Sequence, residues 1–133
     1  MNAVDTNVLI YACDSRDEAK QSRALALLES LPDCVLLWQV AHEFIASSRK
    51  LASHGFTPQH AWARLDEFCA TMTLVPPSPA ALTLTRQFHE IARVSFWDAA
   101  LLAACADAGV RTLYSVDVPG SEIELVRVVN PFA

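Results

Sequence analysis

Five short apolar runs alternate along this chain with stretches of helical periodicity, and that alternation limits the possible folds more than any other feature. The first run is split: Ala3 to Val4 and Val8 to Tyr11 flank Asp5-Thr6-Asn7, which reads as a buried strand ending in a polar turn. Cys34 to Trp38, Met72 to Val75, Thr112 to Val116 and Val126 to Val129 are the other four strand-length runs. Ser15-Arg16-Asp17-Glu18 has the capping-box pattern, in which Ser and Glu satisfy free backbone donors, and Ala24, Leu27, Leu28 and Leu31 then recur at helical spacing before Pro32. A helix is therefore predicted over roughly Arg16 to Leu31. A second helix carries Glu43 in its first turns, presents Ala41, Phe44, Ile45, Ser48, Leu51 and Ala52 inward, and closes near Gly55. Thr57-Pro58 opens a third, with Thr as cap and Pro at the first helical position; Ala61, Leu65, Phe68 and Cys69 form its apolar face.

Pro76-Pro77-Ser78-Pro79 breaks the chain before a helix with Ala81, Leu84, Thr85, Phe88, Ile91 and Ala92 facing inward. Ser95-Phe96-Trp97-Asp98 resembles another capping box, and its helix, lined by Ala99, Leu102, Ala103 and Ala106, stops at Gly109. Strands separated by helices of this length require crossover connections, which are right-handed and make neighbouring strands parallel. The expected fold class is α/β: three layers, with a central, mainly parallel sheet of four to five strands covered on both faces.

At 133 residues, slightly over half of them apolar, the chain is expected to be one domain, 1–133, without a linker. No signal-peptide pattern opens the sequence, and the apolar stretch Ala99 to Ala106, bracketed by Asp98 and Asp107, is too short to span a bilayer. A cytoplasmic protein without a membrane partner is expected. Cys13, Cys34, Cys69 and Cys105 form no C-x-x-C pair and read as buried free thiols, while His42, His54, His60 and His89 lack zinc-ligand spacing. The net charge of −5 argues against a nonspecific nucleic-acid coat but leaves Arg49, Lys50, Arg64, Arg86 and Arg93 available to a phosphate backbone.

Parallel strands end at one edge of a sheet, and the helices that follow begin there. Asp5 follows the first strand, Glu43 opens the helix after the second, Asp98 opens the helix before the fourth, and Asp117 follows the fourth, with the next turn running through Val118-Pro119-Gly120. All four acids thus map to the carboxyl edge, where open α/β folds place their ligands. Each has a plain alternative: Asp98 as half of a capping box, Asp117 as an Asx-turn residue, Glu43 as an exposed acid. Asp5 is hardest to explain away, because it interrupts an apolar opening. The other acids, Glu122 and Glu124 among them, fit solvated or capping positions. Four carboxylates brought close together repel unless protons or a cation offset them, and an all-oxygen set selects Mg²⁺ or Mn²⁺. Hydrolysis of a phosphodiester is the chemistry such a site suits.

The opening VDTNVLIYA, the helix carrying Glu43, the segment SFWDAALLAA, the strand end LYSVD and the closing VRVVNPF together resemble a PIN-domain protein, specifically a toxin of the VapC type. The resemblance runs over nearly the full chain, in the family's order. It implies a PIN-like fold and a Mg²⁺- or Mn²⁺-dependent endoribonuclease, the toxin of a type II toxin–antitoxin system, bound by a cognate antitoxin and forming a homodimer. Carried over residue by residue, it makes Asp5, Asp98 and Asp117 metal ligands and Glu43 a ligand, through water or directly, or an activator of the attacking water. Thr6, Asn7 and Ser115 match positions that orient the carboxylates or the scissile phosphate, with turn chemistry the alternative for Thr6. Relatives often carry S-E-D where this chain has Ser115-Val116-Asp117, and a longer loop bearing Gln and His where this chain runs briefly from Asp117 to Val126.

A phosphate-receiver domain would need adjacent acids after the first strand and a late lysine; a haloacid-dehalogenase-type phosphatase would need an acid where Asn7 sits. The alternative outside enzymes is a PIN-like fold with idle acids, kept for binding protein or RNA. Trp62, Phe56 and Phe68 are candidates to cover an antitoxin helix or a dimer mate, with core packing open for Phe68; Trp97 is expected to pack beneath the acids.

Overall fold

The computed structural model describes residues 1–119 and 125–133. The strands are β1 (Asn2–Val4), β2 (Cys34–Leu37), β3 (Thr73–Val75), β4 (Thr112–Tyr114) and β5 (Arg127–Val129), and they form one sheet in the order β3-β2-β1-β4-β5. Every neighbouring pair is parallel, with Ala3 opposite both Val35 and Leu113, and Val4 opposite Tyr114. The helices are α1 (Thr6–Cys13), α2 (Glu18–Ser30), α3 (Trp38–Ser48), α4 (Pro58–Thr71), α5 (Pro79–Ile91) and α6 (Phe96–Ala108), with a 3₁₀ segment over Arg49–His54. No helix among the described residues is long and apolar enough to cross a membrane.

The strand order fixes where a ligand can enter. From β1 the chain winds outward through β2 to β3, then returns past β1 to add β4 and β5 on the other side. Loops after β1 and β4 therefore leave in opposite directions, and the crevice between them is the switch point of the sheet. Beneath it lies an apolar core containing Val4, Leu36, Phe44, Leu102 and Leu113, all nearly inaccessible to water. In the small-residue helix α6, Ala99, Leu102 and Ala103 are fully buried.

The expected elements form, with one change of type. Val8 to Tyr11 belongs to helix α1 and is not part of a strand, because Asp5 in extended backbone caps it: its Oδ1 accepts from the Thr6 N–H at 2.7 Å. Four consecutive apolar residues carry no polar position to reveal their period, and burial of Val8, Leu9 and Ala12 follows helical spacing. Helix α2 is capped by Asp17, which accepts from the Lys20 N–H at 3.1 Å, and not by Ser15. Thr57 caps α4 as expected, although His60 is the reciprocal partner. Ala52 faces outward because the 3₁₀ segment advances three residues per turn and rotates the stripe away from that of α3. Ile91, at the last turn of α5, is 66% exposed while Phe88 and Ala92, four apart, are buried.

Gly109 ends α6 at φ +79°, a left-handed cap that β-carbons disfavour. Gly109→Ala is expected to cost about 1 kcal/mol, lowering Tm by about 4 °C in thermal denaturation. A Cβ there would meet only the flexible end of Met1 at 3.4 Å, so the cost is conformational. The cysteines are free: Cys105 is buried, Cys13 and Cys34 are half-buried, and Cys69 is exposed, contrary to its expected place in the core. Burial pushes the Cys34 thiol up to about 11 and the Cys105 thiol up to about 12, so both are protonated at neutral pH. The solvated positions expected for Glu122 and Glu124, and the end of the turn at Gly120, lie outside the described residues.

Candidate active site

The four acids share one cavity of about 270 Å³ at the switch point. Asp5 comes from the β1–α1 junction, Glu43 from α3, Asp98 from the first turn of α6 and Asp117 from the segment after β4. Thr6 and Asn7 line it too, while Ser115 lies underneath, 1% exposed.

Asp5 is the most enclosed of the four, 7% exposed. The Ser115 hydroxyl donates to its Oδ2 at 2.7 Å, so with the Thr6 amide both oxygens are held. Ser115 also accepts from the Val118 N–H at 3.1 Å, and its own N–H donates to the Val129 carbonyl at 2.9 Å, which ties the post-β4 segment to β5. Burial pushes the Asp5 carboxyl above its ordinary value; the hydrogen bonds from Ser115 and Thr6 pull it down, and the charges of Glu43 and Asp117 push it up.

Glu43 is held from two sides. Thr6 Oγ1 donates to Oε2 at 2.8 Å and Gln39 Nε2 donates to Oε1 at 2.9 Å, with Gln39 also 3.4 Å from the Trp97 carbonyl. Thr6 is therefore more than a turn residue: it joins the Asp5 cap to α3. Thr6→Val removes the donor to Glu43 Oε2 at a buried position, and a loss of about 1–3 kcal/mol is expected in denaturant unfolding. Asn7 Nδ2 donates to Asp117 Oδ2. The Asp98 N–H donates to the Ser95 cap at 3.1 Å, leaving its half-buried carboxylate facing the cavity.

Among the described residues, no three Asp, Glu, His or Cys side chains stand close enough to share one ion as placed. Three of the four acids are instead held by donors of their own. The donor chemistry nonetheless suits a hard divalent cation: the acids, the Asn7 amide and the hydroxyls offer oxygen, with no His or Cys on the wall among the described residues.

Gln39, Ser47 and Lys50 also line the cavity. Their spacing around Glu43, four residues before, four after and seven after, is that of one helix face, a signal present in the sequence once Glu43 is placed. The five cations considered for RNA do not gather there. Lys50 alone lines the cavity; Arg64 pairs with Glu67, and Arg86 bonds Glu90 at 3.3 Å beside a different cavity. Trp97 is not packed beneath the acids: it is 67% exposed at the rim. Phe68 is buried against Phe44, whereas Trp62, 56% exposed, borders an apolar groove of about 340 Å³ between α3 and α4 together with Trp38 and Ile45.

A doubly wound parallel sheet with a carboxylate-lined cavity at its switch point defines an α/β domain built to bind a ligand outside the carboxyl ends of its strands. The family model described as PIN domain matches residues 3–118, and the chain belongs to that family. Among solved structures it is similar to FitAcB from Neisseria gonorrhoeae, with 20% identity, 99% of each chain covered and a TM-score of 0.79. It is also similar to a toxin–antitoxin complex from Klebsiella pneumoniae, with 19% identity, 98% of each chain covered and a TM-score of 0.69. The Mycobacterium tuberculosis VapC20, described as a Sarcin-Ricin loop cleaving toxin, matches with 19% identity over 96% of this chain and 99% of its own, at a TM-score of 0.68. No curated protein sequence matches the chain.

Proposed function

We propose that this protein is a Mg²⁺- or Mn²⁺-dependent endoribonuclease, the toxin of a type II toxin–antitoxin system, acting in the cytoplasm as a homodimer. The observation that carries the reading is the convergence of Asp5, Glu43, Asp98 and Asp117 on one polar cavity. Asp5, Asp98 and Asp117 would hold the ion, with Glu43 reaching it through water. With the cation bound, the site gains a Lewis acid that lowers the pKa of water and offsets charge on the departing oxygen. Thr6 and Gln39 keep Glu43 in one rotamer, so that its remaining lone pairs can accept the proton of the attacking water. Ser115 and Asn7 fix the orientations of Asp5 and Asp117. The reaction adds water across a P–O bond, leaving a phosphate monoester and a free hydroxyl.

An antitoxin partner is supported by the exposed apolar groove bordered by Trp38 and Trp62, and by the toxin–antitoxin descriptions of structural neighbours. The test is cleavage of RNA in Mg²⁺ or Mn²⁺, repeated with EDTA and with Asp98→Asn. Loss under both is expected; cleavage that survives the substitution removes Asp98 from the assigned ligands.

One observation favours a second reading. The acids do not close around a single point as placed, which suits a PIN fold that binds protein or RNA with its carboxylates idle. Absence of cleavage under every cation condition would establish that alternative.

A further inference from the structure

Trp97 and Lys50 stand on the wall of the acidic cavity from different elements, α6 and the 3₁₀ segment after α3. A tryptophan two-thirds exposed beside a polar, charged cavity leaves a large apolar face in water without a core to cover it. Phe96 and Trp97 meet in a T-shaped contact, centroids 5.2 Å apart, which covers at most one face of the indole. Lys50 is exposed, and among the described residues it is the one cation on a wall that carries four acids. An anionic polymer approaching these carboxylates is repelled by them and attracted by Lys50, while the uncharged indole offers it a surface without repulsion.

We propose that Trp97 and Lys50 are substrate-positioning residues: Trp97 stacks on an unpaired base, Lys50 holds a phosphate, and the strand between them is drawn over the acids. The inference rests on the ribonuclease reading for the identity of the polymer, and it requires an unpaired base beside the bond cut. A base inside a duplex has both faces stacked on its neighbours and cannot lie on the indole. An isolated aromatic with one lysine reads no base edge, so the contact is tolerant of sequence and strict about strandedness.

The experiment pairs cleavage with binding. Initial rates are measured on one labelled RNA, single-stranded and annealed to its complement, for the native chain, Trp97→Ala, Trp97→Phe and Lys50→Met. Affinity for the same single strand is measured by fluorescence anisotropy with each substitution placed in the Asp5→Asn chain. Trp97→Ala is expected to raise KM and Kd roughly 5- to 100-fold with kcat little changed, and Trp97→Phe to restore most of the loss. Lys50→Met is expected to flatten the slope of log Kd against log salt by about 0.7, the share of one phosphate contact on a single strand. Duplex RNA is expected to be the poorer substrate. Unchanged Kd in Trp97→Ala, or equal cutting of duplex, overturns the proposal. So does a change in oligomeric state with RNA affinity intact, which would make Trp97 part of a protein interface. If no RNA is cleaved yet binding depends on Trp97 and Lys50, the ribonuclease reading fails and the strand-binding surface stands.

Discussion

Asp5→Asn is expected to reduce RNA cleavage by about 100-fold or more while leaving the cation-free protein at least as stable as the native chain at neutral pH. The two halves have separate causes. Loss of activity follows from removing the charge of the ligand proposed at the centre of the site. Retained stability follows from the cap: Asn, like Asp, accepts from the Thr6 amide, and its NH₂ can donate to the Ser115 hydroxyl. The native carboxylate is stabilised by two donors but is enclosed and faces Glu43 and Asp117, so burial wins and its protonated form is favoured on folding. Below the ordinary value of 3.8 both states hold the proton. As pH rises from there through the raised value, the unfolded chain releases it first and stability falls. Asn has no proton to lose, so the variant should lack that acidic-side decline. Urea titrations of both proteins across pH 3.5 to 7 check this, and a variant that unfolds more readily at pH 7 would show that the buried charge is already well compensated.

The second large effect is cation-linked. A cation bound only by the folded state at 100 times its Kd stabilises by about 2.7 kcal/mol, so millimolar Mn²⁺ should raise Tm by about 10 °C, and the rise should disappear in Asp5→Asn and Asp98→Asn. Differential scanning fluorimetry reads both. An identical Tm with and without Mn²⁺ favours the binding-module reading, and a rise that persists in both variants places the ion elsewhere. Because three of the acids are held by Asn7, Thr6, Gln39 and Ser115, closing on an ion requires some of these hydrogen bonds to be exchanged for ligand bonds. That exchange lowers affinity and is the physical reason for testing binding and cleavage separately.

The acids were legible in the sequence because topology alone, strands ending where helices begin, brings Asp5, Glu43, Asp98 and Asp117 to one edge. Their supports were less so. Ser115 and Asp5 are 110 positions apart, and no local pattern announces that one hydroxyl bonds the other carboxylate. Gln39 and Ser47 share the face of Glu43 at helical spacing, but uncharged polar residues on a helix are common and do not by themselves mark a cavity wall. Val8 to Tyr11 resembled a strand since uniform burial erases periodicity, and Trp97 resembled core since hydropathy does not say which residues overhang an edge. Partner surfaces such as the groove at Trp38 and Trp62 depend on how helices pack, which a linear pattern leaves open.

The bonds from Ser115 to Asp5 and from Asn7 to Asp117 each join residues 110 positions apart. During synthesis Asp5 and Glu43 are made well before Asp117, and the cavity has no far wall until β4 slides in beside β1. A nascent chain thus lacks the closed cavity for as long as β4 is missing from beside β1. Truncation anywhere before β4 should yield a fragment unable to assemble the cavity.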